Sequence, residues 1–249
     1  MDPWERITSG GRVASRRAKE AIRFEIAPVG DGSRGHQLLV FVDEVEMTSK
    51  GAGMGMDPFD VLLPHNRLIA TEQPVRVPIA RCECGEYGCS STDVSILRDG
   101  DVVHWDWLID VPTGHGATFR ADQYDAEVTR VGSDHRWERP QDTTARLILG
   151  GADRHSLAEH GLLISWAAPD HRDDSRFVVS LMTTDERFQV FLRVGRAGKP
   201  PEVVSAEMLA LLARAPSTWP ATYTAIQIGW NSRPAMAGWR WRRQDVGSL

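Results

Sequence analysis

What the chain lacks narrows it before any motif is read. No stretch approaches the roughly 18 continuous apolar residues of a membrane span, and the N-terminal MDPWERITSGGRVASRRAKEAIRFEI has basic side chains but no apolar run of signal-peptide length. The expectation is a soluble, cytoplasmic protein. Cysteine is scarce, with three residues in 249. In a reducing compartment, cysteines this close together point to metal ligands or reduced thiols rather than a disulfide framework. Positive charge is in deficit: 29 Lys and Arg against 34 Asp and Glu give a net charge of −5. That balance lacks the basic footprint of a protein that holds nucleic-acid phosphates, and it disfavours nucleic acid as a partner. There is no internal repeat.

The composition that remains is globular, with 41% hydrophobic and 25% charged residues and nine tryptophans. The length suits one continuous domain or two halves, and the order of strands and helices suggests 1–150 and 151–249, divided near Gly150-Gly151. The basic run Arg12, Arg16, Arg17 and Lys19 reads as a frayed end or short solvated helix. Ile22–Ile26 and Gln37–Val45 make a first hairpin. Ser49–Met56, SKGAGMGM, matches neither a dinucleotide fingerprint nor a P-loop and reads as a flexible loop. Asp57 as N-cap with Pro58 at the first helical position opens a short helix through about Leu63. The prolines around Val75–Ala80 predict an edge strand. Beyond it, helices are expected over Phe119–Val131, after Pro140 and over about Glu202–Ala213, with strands at Leu162–Ala167, Arg176–Met182 and Phe188–Val194.

The most informative stretch is Arg81–Trp107. Cys82, Cys84 and Cys89 form C-x-C-x4-C, and Gly85 and Gly88 would let the backbone turn tightly enough for three sulfurs to converge. Soft thiolates make zinc the expected ion. Structural zinc takes four ligands, so one must come from elsewhere.

The following hairpin can be used to look for it. If Asp99-Gly100 is a two-residue turn, Leu97 pairs with Val102, Ser95 with His104, Val94 with Trp105 and Asp93 with Asp106. Val94, Ile96, Val103 and Trp105 then face the core, and Asp93, Ser95, His104 and Asp106 face outward. This register carries His104 roughly 20 Å from Cys89, at about 3.3 Å per residue. His115 and Asp110, just past the hairpin, are better placed, with His65 or a C-terminal histidine as distant alternatives. The predicted metal set is Cys82, Cys84, Cys89 and His115.

Three functional readings follow. The first is a non-enzymatic, zinc-stabilised module that binds a protein partner. The second is a metal-dependent, hydrolase-like enzyme using Asp93, His104 and Asp106, whose facing carboxylates could hold a cation or shift one another's pKa. The third is nucleic-acid binding through the tail Trp239–Arg243, which as a strand would present Trp239 and Trp241 on one face and Arg240 and Arg242 on the other. No G-x-S-x-G or similar signature supports nucleophilic catalysis. Asp153-Arg154-His155 and His171-Arg172-Asp173-Asp174 read as solvated loops.

The motif C-E-C-G-E-Y-G-C at 82–89, the Val94–Trp107 hairpin and the later Phe119…Gln123-Tyr124 resemble a group of uncharacterised, mainly actinobacterial proteins. These share C-x-C-G-x-x-G-C followed by a Trp-containing hairpin. The resemblance spans roughly Asp57–Trp137 and implies that the cysteines belong together, without supplying an activity. The expected fold is α+β, mainly antiparallel sheet with helices packed on one side.

Overall fold

A computed structural model describes residues 15–19, 21–30, 35–84, 89–226 and 232–244. The fold is α+β, and it divides into two compact units, Met1–Trp137 and Glu138–Leu249. The division falls ahead of the expected Gly150-Gly151 boundary because the helix after Pro140 packs against Leu162–Pro169 and Pro201–Leu212 of the second unit. Among the described residues, no helix is long and apolar enough to cross a membrane.

The first unit contains β1 (Arg16–Ala18), β2 (Ile22–Pro28), β3 (His36–Val42), β4 (Val45–Glu46), β5 (Gly53–Gly55), α1 (Pro58–Leu62), β6 (Val75–Cys82), β7 (Ser91–Asp99), β8 (Val102–Ile109), β9 (Gly116–Arg120) and α2 (Ala121–Ser133). Its larger sheet has the order β1-β9-β8-β7-β6-β5, and its smaller one β2-β3-β4. All pairings are antiparallel except β1 with β9.

Alternation along β7 and β8 works as the sequence suggests: Val94, Ile96, Val103 and Trp105 are all fully buried. They join Phe24, Phe119, Tyr124 and Val128 in one core. Trp105 donates its indole N–H to the Tyr124 hydroxyl at 3.2 Å, and that hydroxyl donates to the Leu68 carbonyl at 2.6 Å. The polar tips of both rings are therefore satisfied in the interior, as burial of such groups requires.

Several local expectations change. The basic run contributes β1, which pairs with β9, where Lys19 N–H also bonds Thr118 O; Arg12 lies outside the described residues. The glycine-rich 49–56 stretch is not a loose loop: Gly53–Gly55 pair with Ala80–Cys82, and Met56 bridges to Leu38. β6 is consequently flanked on both sides, although β5 covers only its C-terminal end. Phe119 belongs to β9, and α2 begins at Ala121. Asp57 does cap α1, accepting from Phe59 N–H at 2.9 Å.

The β7–β8 register also differs. Asp99 pairs with Val102, leaving Gly100-Asp101 as the two-residue connection, with Gly100 at φ +56. A glycine at the first loop position, and alone in taking positive φ, fits a type II′ turn. The shift is by two residues, so Val94, Ile96, Val103 and Trp105 stay on the core face, whereas Asp93, expected to face outward, is buried.

The second unit contains α3 (Pro140–Gly151), α4 (Arg154–Glu159), β10 (Leu162–Pro169), β11 (Arg176–Thr183), β12 (Phe188–Gly195), α5 (Pro201–Leu212), β13 (Thr222–Ala225) and β14 (Arg242–Arg243). Its sheet runs β10-β11-β12-β13-β14. The C-terminal tail does not form the alternating Trp/Arg strand. Trp241 is buried, stacked on Trp219 at 6.2 Å between centroids with the planes 5° apart, and donates to Pro216 O at 2.9 Å. Trp239 is 76% exposed, with the Arg240 guanidinium over its ring.

Candidate metal centre

β6 ends at Cys82 and β7 begins at Ser91, so the turn between two paired strands carries the remaining cysteines. Arg81 pairs with Ser91, and Cys82 N–H donates to Ser90 O at 3.0 Å, which holds both ends of the turn in strand geometry. The three sulfurs lie within 4.8 Å of one another. Around a tetrahedral zinc with bonds of about 2.3 Å, sulfurs stand about 3.8 Å apart, so at most about 1 Å of contraction brings this set to coordination distance. Cys82 is half-buried, while Cys84 and Cys89 are exposed. The spacing that motivated the site therefore does bring its sulfurs together.

Electrostatics around the sulfurs are asymmetric. The backbone N–H of Cys84, followed by the thiols of Cys84 and Cys89, holds the Cys82 thiol below its ordinary range. Donation to Cys82 and the negative charge there push Cys89 up. Without metal, the cluster thus makes Cys82 easier to deprotonate than Cys89. The thiolate is the form that can act as a ligand.

Asp110 has a different role from the ligand suggested by its position. Its backbone lies at φ +40, a conformation that Asp tolerates better than most residues. Its Oδ2 accepts from the Ser90 hydroxyl at 2.5 Å and from Ser91 N–H at 3.2 Å, and its carbonyl accepts from Thr92 Oγ1 at 3.0 Å. Thr92 Oγ1 in turn accepts from Ala52 N–H at 2.9 Å. Asp110 thereby ties the start of β7 to the end of β8 beneath the cysteine turn. Sequence reasoning placed it near the site but missed this role, which depends on nonlocal pairing. Its one local signal was an Asp at the end of a strand just before Val-Pro.

His115 does not join the sulfurs. It immediately precedes β9, and desolvation, with smaller contributions from the Arg17 and Lys19 charges, lowers its pKa. His65 is likewise outside the sulfur group.

The three residues of the enzymatic reading are separated by their partners. The two-residue register shift pairs Asp106 with Ser95, and a bulge between Asp93 and Val94 sets Asp93 opposite Ile109, so the two carboxylates do not face each other across the ladder. Asp93 is fully buried and accepts from Arg76 Nε at 2.5 Å. Asp106 takes a bidentate pair from Arg16, at 2.9 and 2.7 Å. His104 Nδ1 lies 2.9 Å from Thr118 Oγ1, and its Nε2 lies 3.9 Å from Asp99. Of the polar segments read as loops, the first opens α4 with Asp153 as its cap, and Asp170, just before the second, is buried against Arg193 at 2.6 Å.

Comparison with protein-family models, curated proteins and solved structures gives no match to this chain.

Proposed function

We propose that Cys82, Cys84 and Cys89 bind a zinc ion that fixes the β6–β7 turn, and that this chain is a non-enzymatic, zinc-stabilised module presenting that turn to a protein partner. The observation that carries the reading is the convergence of all three cysteines of the chain within 4.8 Å at one exposed turn. Soft thiolates favour zinc and copper(I) over hard cations, and zinc is the thiolate-bound ion that most often has a structural role. An ion here would link the end of β6 to the start of β7, beside the bonds that Asp110 makes to Ser90 and Ser91. Leu108 and Val111, on either side of Asp110, are 38% and 52% exposed and give the neighbouring surface apolar character suited to a protein contact.

The test is metal analysis of the full-length protein purified without chelator, together with single Cys→Ser variants. The expected result is about one zinc per chain, lost in each variant along with part of the thermal stability. A metal-free protein that also fails to take up added zinc, or zinc retained by all three variants, overturns the proposal.

A further inference from the structure

The donors available around the sulfurs point beyond a closed structural site. All eight histidines of the chain lie among the described residues, and none joins the three sulfurs. Of the carboxylates nearest in sequence, Glu86 lies outside the described residues, and Glu83 and Asp110 lie against other groups. The Glu83 side chain lies over the β5 backbone, where Gly53, at φ +111, leaves room for it: a Cβ there would stand 2.8 Å from Glu83 Cγ and 3.4 Å from its Oε1. The Asp110 carboxylate is occupied by Ser90 and Ser91. Every cysteine is already in the cluster. Two of the three sulfurs face solvent, so an ion held by them has an approach route from outside the chain.

Charge then selects the kind of donor that could use that route. Three thiolates around a divalent ion sum to −1, and Glu83 adds a further negative group to the same turn. A fourth anionic ligand would raise the charge of the centre to −2, whereas a neutral nitrogen donor leaves it unchanged, and like charges a few ångströms apart are costly. Three thiolates with one imidazole is also an established zinc set. Building on the zinc reading above, we propose that the three-sulfur centre keeps its fourth coordination position open to solvent and takes a neutral imidazole donor from outside the chain, namely a histidine side chain of the protein partner. On this view the metal is part of the interface as well as a staple for the turn.

Cobalt(II) in place of zinc makes the centre visible in the full-length protein. Sulfur-to-cobalt charge-transfer absorption reports the thiolates, and the d–d bands report the fourth ligand. Titration with imidazole should shift the d–d bands saturably while the charge-transfer intensity is unchanged, and acetate at the same concentrations should leave both alone. An imidazole-insensitive spectrum overturns the open position. So does sensitivity that appears only in Glu86→Gln, because the chain's own carboxylate would then be the fourth ligand. An equal response to acetate overturns the selection for a neutral donor. Failure to develop any sulfur-to-cobalt absorption overturns the metal site itself and with it both proposals, which separates that outcome from the others.

Discussion

Two parts of one sheet carry the chemically active side chains of the first unit, and they are arranged in opposite ways. At the β6–β7 turn, three cysteines approach one another with their sulfurs partly open to solvent. On the outer face of the same strands, Asp93, Asp106 and His104 each turn to a separate partner, Arg76, Arg16 and Thr118. Convergence on a common point is what a shared ligand requires. Separate pairing is what burial of polar groups requires. The contrast implies that the outer face supports the sheet whether or not metal is present, whereas the turn depends on its ion.

The largest effect is expected on the outer face. Arg76→Ala removes the guanidinium from a fully buried carboxylate, a change that costs about 3–5 kcal/mol when a buried pair is broken. Urea denaturation with and without chelator should give the same loss. A loss that vanishes in chelator would tie this pair to the metal and dissolve the contrast.

Next comes the turn. With free zinc about 100-fold above its dissociation constant, linkage stabilises the wild-type chain by about 2.7 kcal/mol, and Cys82→Ser should abolish this gain. The pH dependence follows from the thiols. Cys82, held low, contributes stability above the ordinary thiol range that is lost as pH falls. Cys89, held high, contributes stability below that range that is lost as pH rises. The two contributions coincide near the ordinary thiol range, so on their account the metal-free chain should be most stable there and lose stability as pH moves away on either side. Zinc binding needs all three thiols deprotonated, so its affinity should fall steadily with falling pH and binding should release protons, measurable by calorimetry in buffers of different ionisation enthalpy. Affinity that is flat with pH would count against thiolate ligation.

Asp110 sharpens the comparison from beneath the turn. Asp110→Asn preserves tolerance of positive φ but weakens the acceptor that serves Ser90 and Ser91. Groups that orient metal ligands indirectly typically matter by 10–100-fold in affinity, and the milder Asn change is expected to cost roughly tenfold in zinc affinity with the fold intact. Unchanged affinity would reduce Asp110 to a loop anchor with no bearing on the site.

These effects also show what could be read without coordinates. The sulfur cluster was legible because a C-x-C-x4-C turn with two glycines has few ways to keep its thiols apart. The core face of β7–β8 was legible because side-chain alternation survives a register shift of two. Register was harder: Asp99-Gly100 and Gly100-Asp101 both offer glycine to a tight turn, and only the pairing of Asp99 with Val102 decides between them. The bulge at Asp93 has no sequence mark at all and moves Asp93 opposite Ile109, but it is the two-residue register shift, pairing Asp106 with Ser95, that breaks the apparent carboxylate pair. Asp110, Arg16 and Arg76 act through contacts between residues distant in the chain, which periodicity does not encode.

The smallest expected effects belong to the histidines, and their smallness is informative. His104→Ala removes one partly buried hydrogen bond to Thr118, worth about 1 kcal/mol, and should leave zinc content unchanged. His115→Ala should change neither stability nor zinc content measurably, because its ring is not gathered with the sulfurs and Arg17 and Lys19 bring positive charge near it. That surrounding charge would itself oppose an approaching divalent ion. Zinc stoichiometry measured on the His115→Ala protein therefore asks whether the fourth donor comes from within the chain. A fall to well below one zinc per chain would mean that metal binding draws β9 toward the turn and closes the site internally, which would remove the open position from which a partner's imidazole is expected to bind.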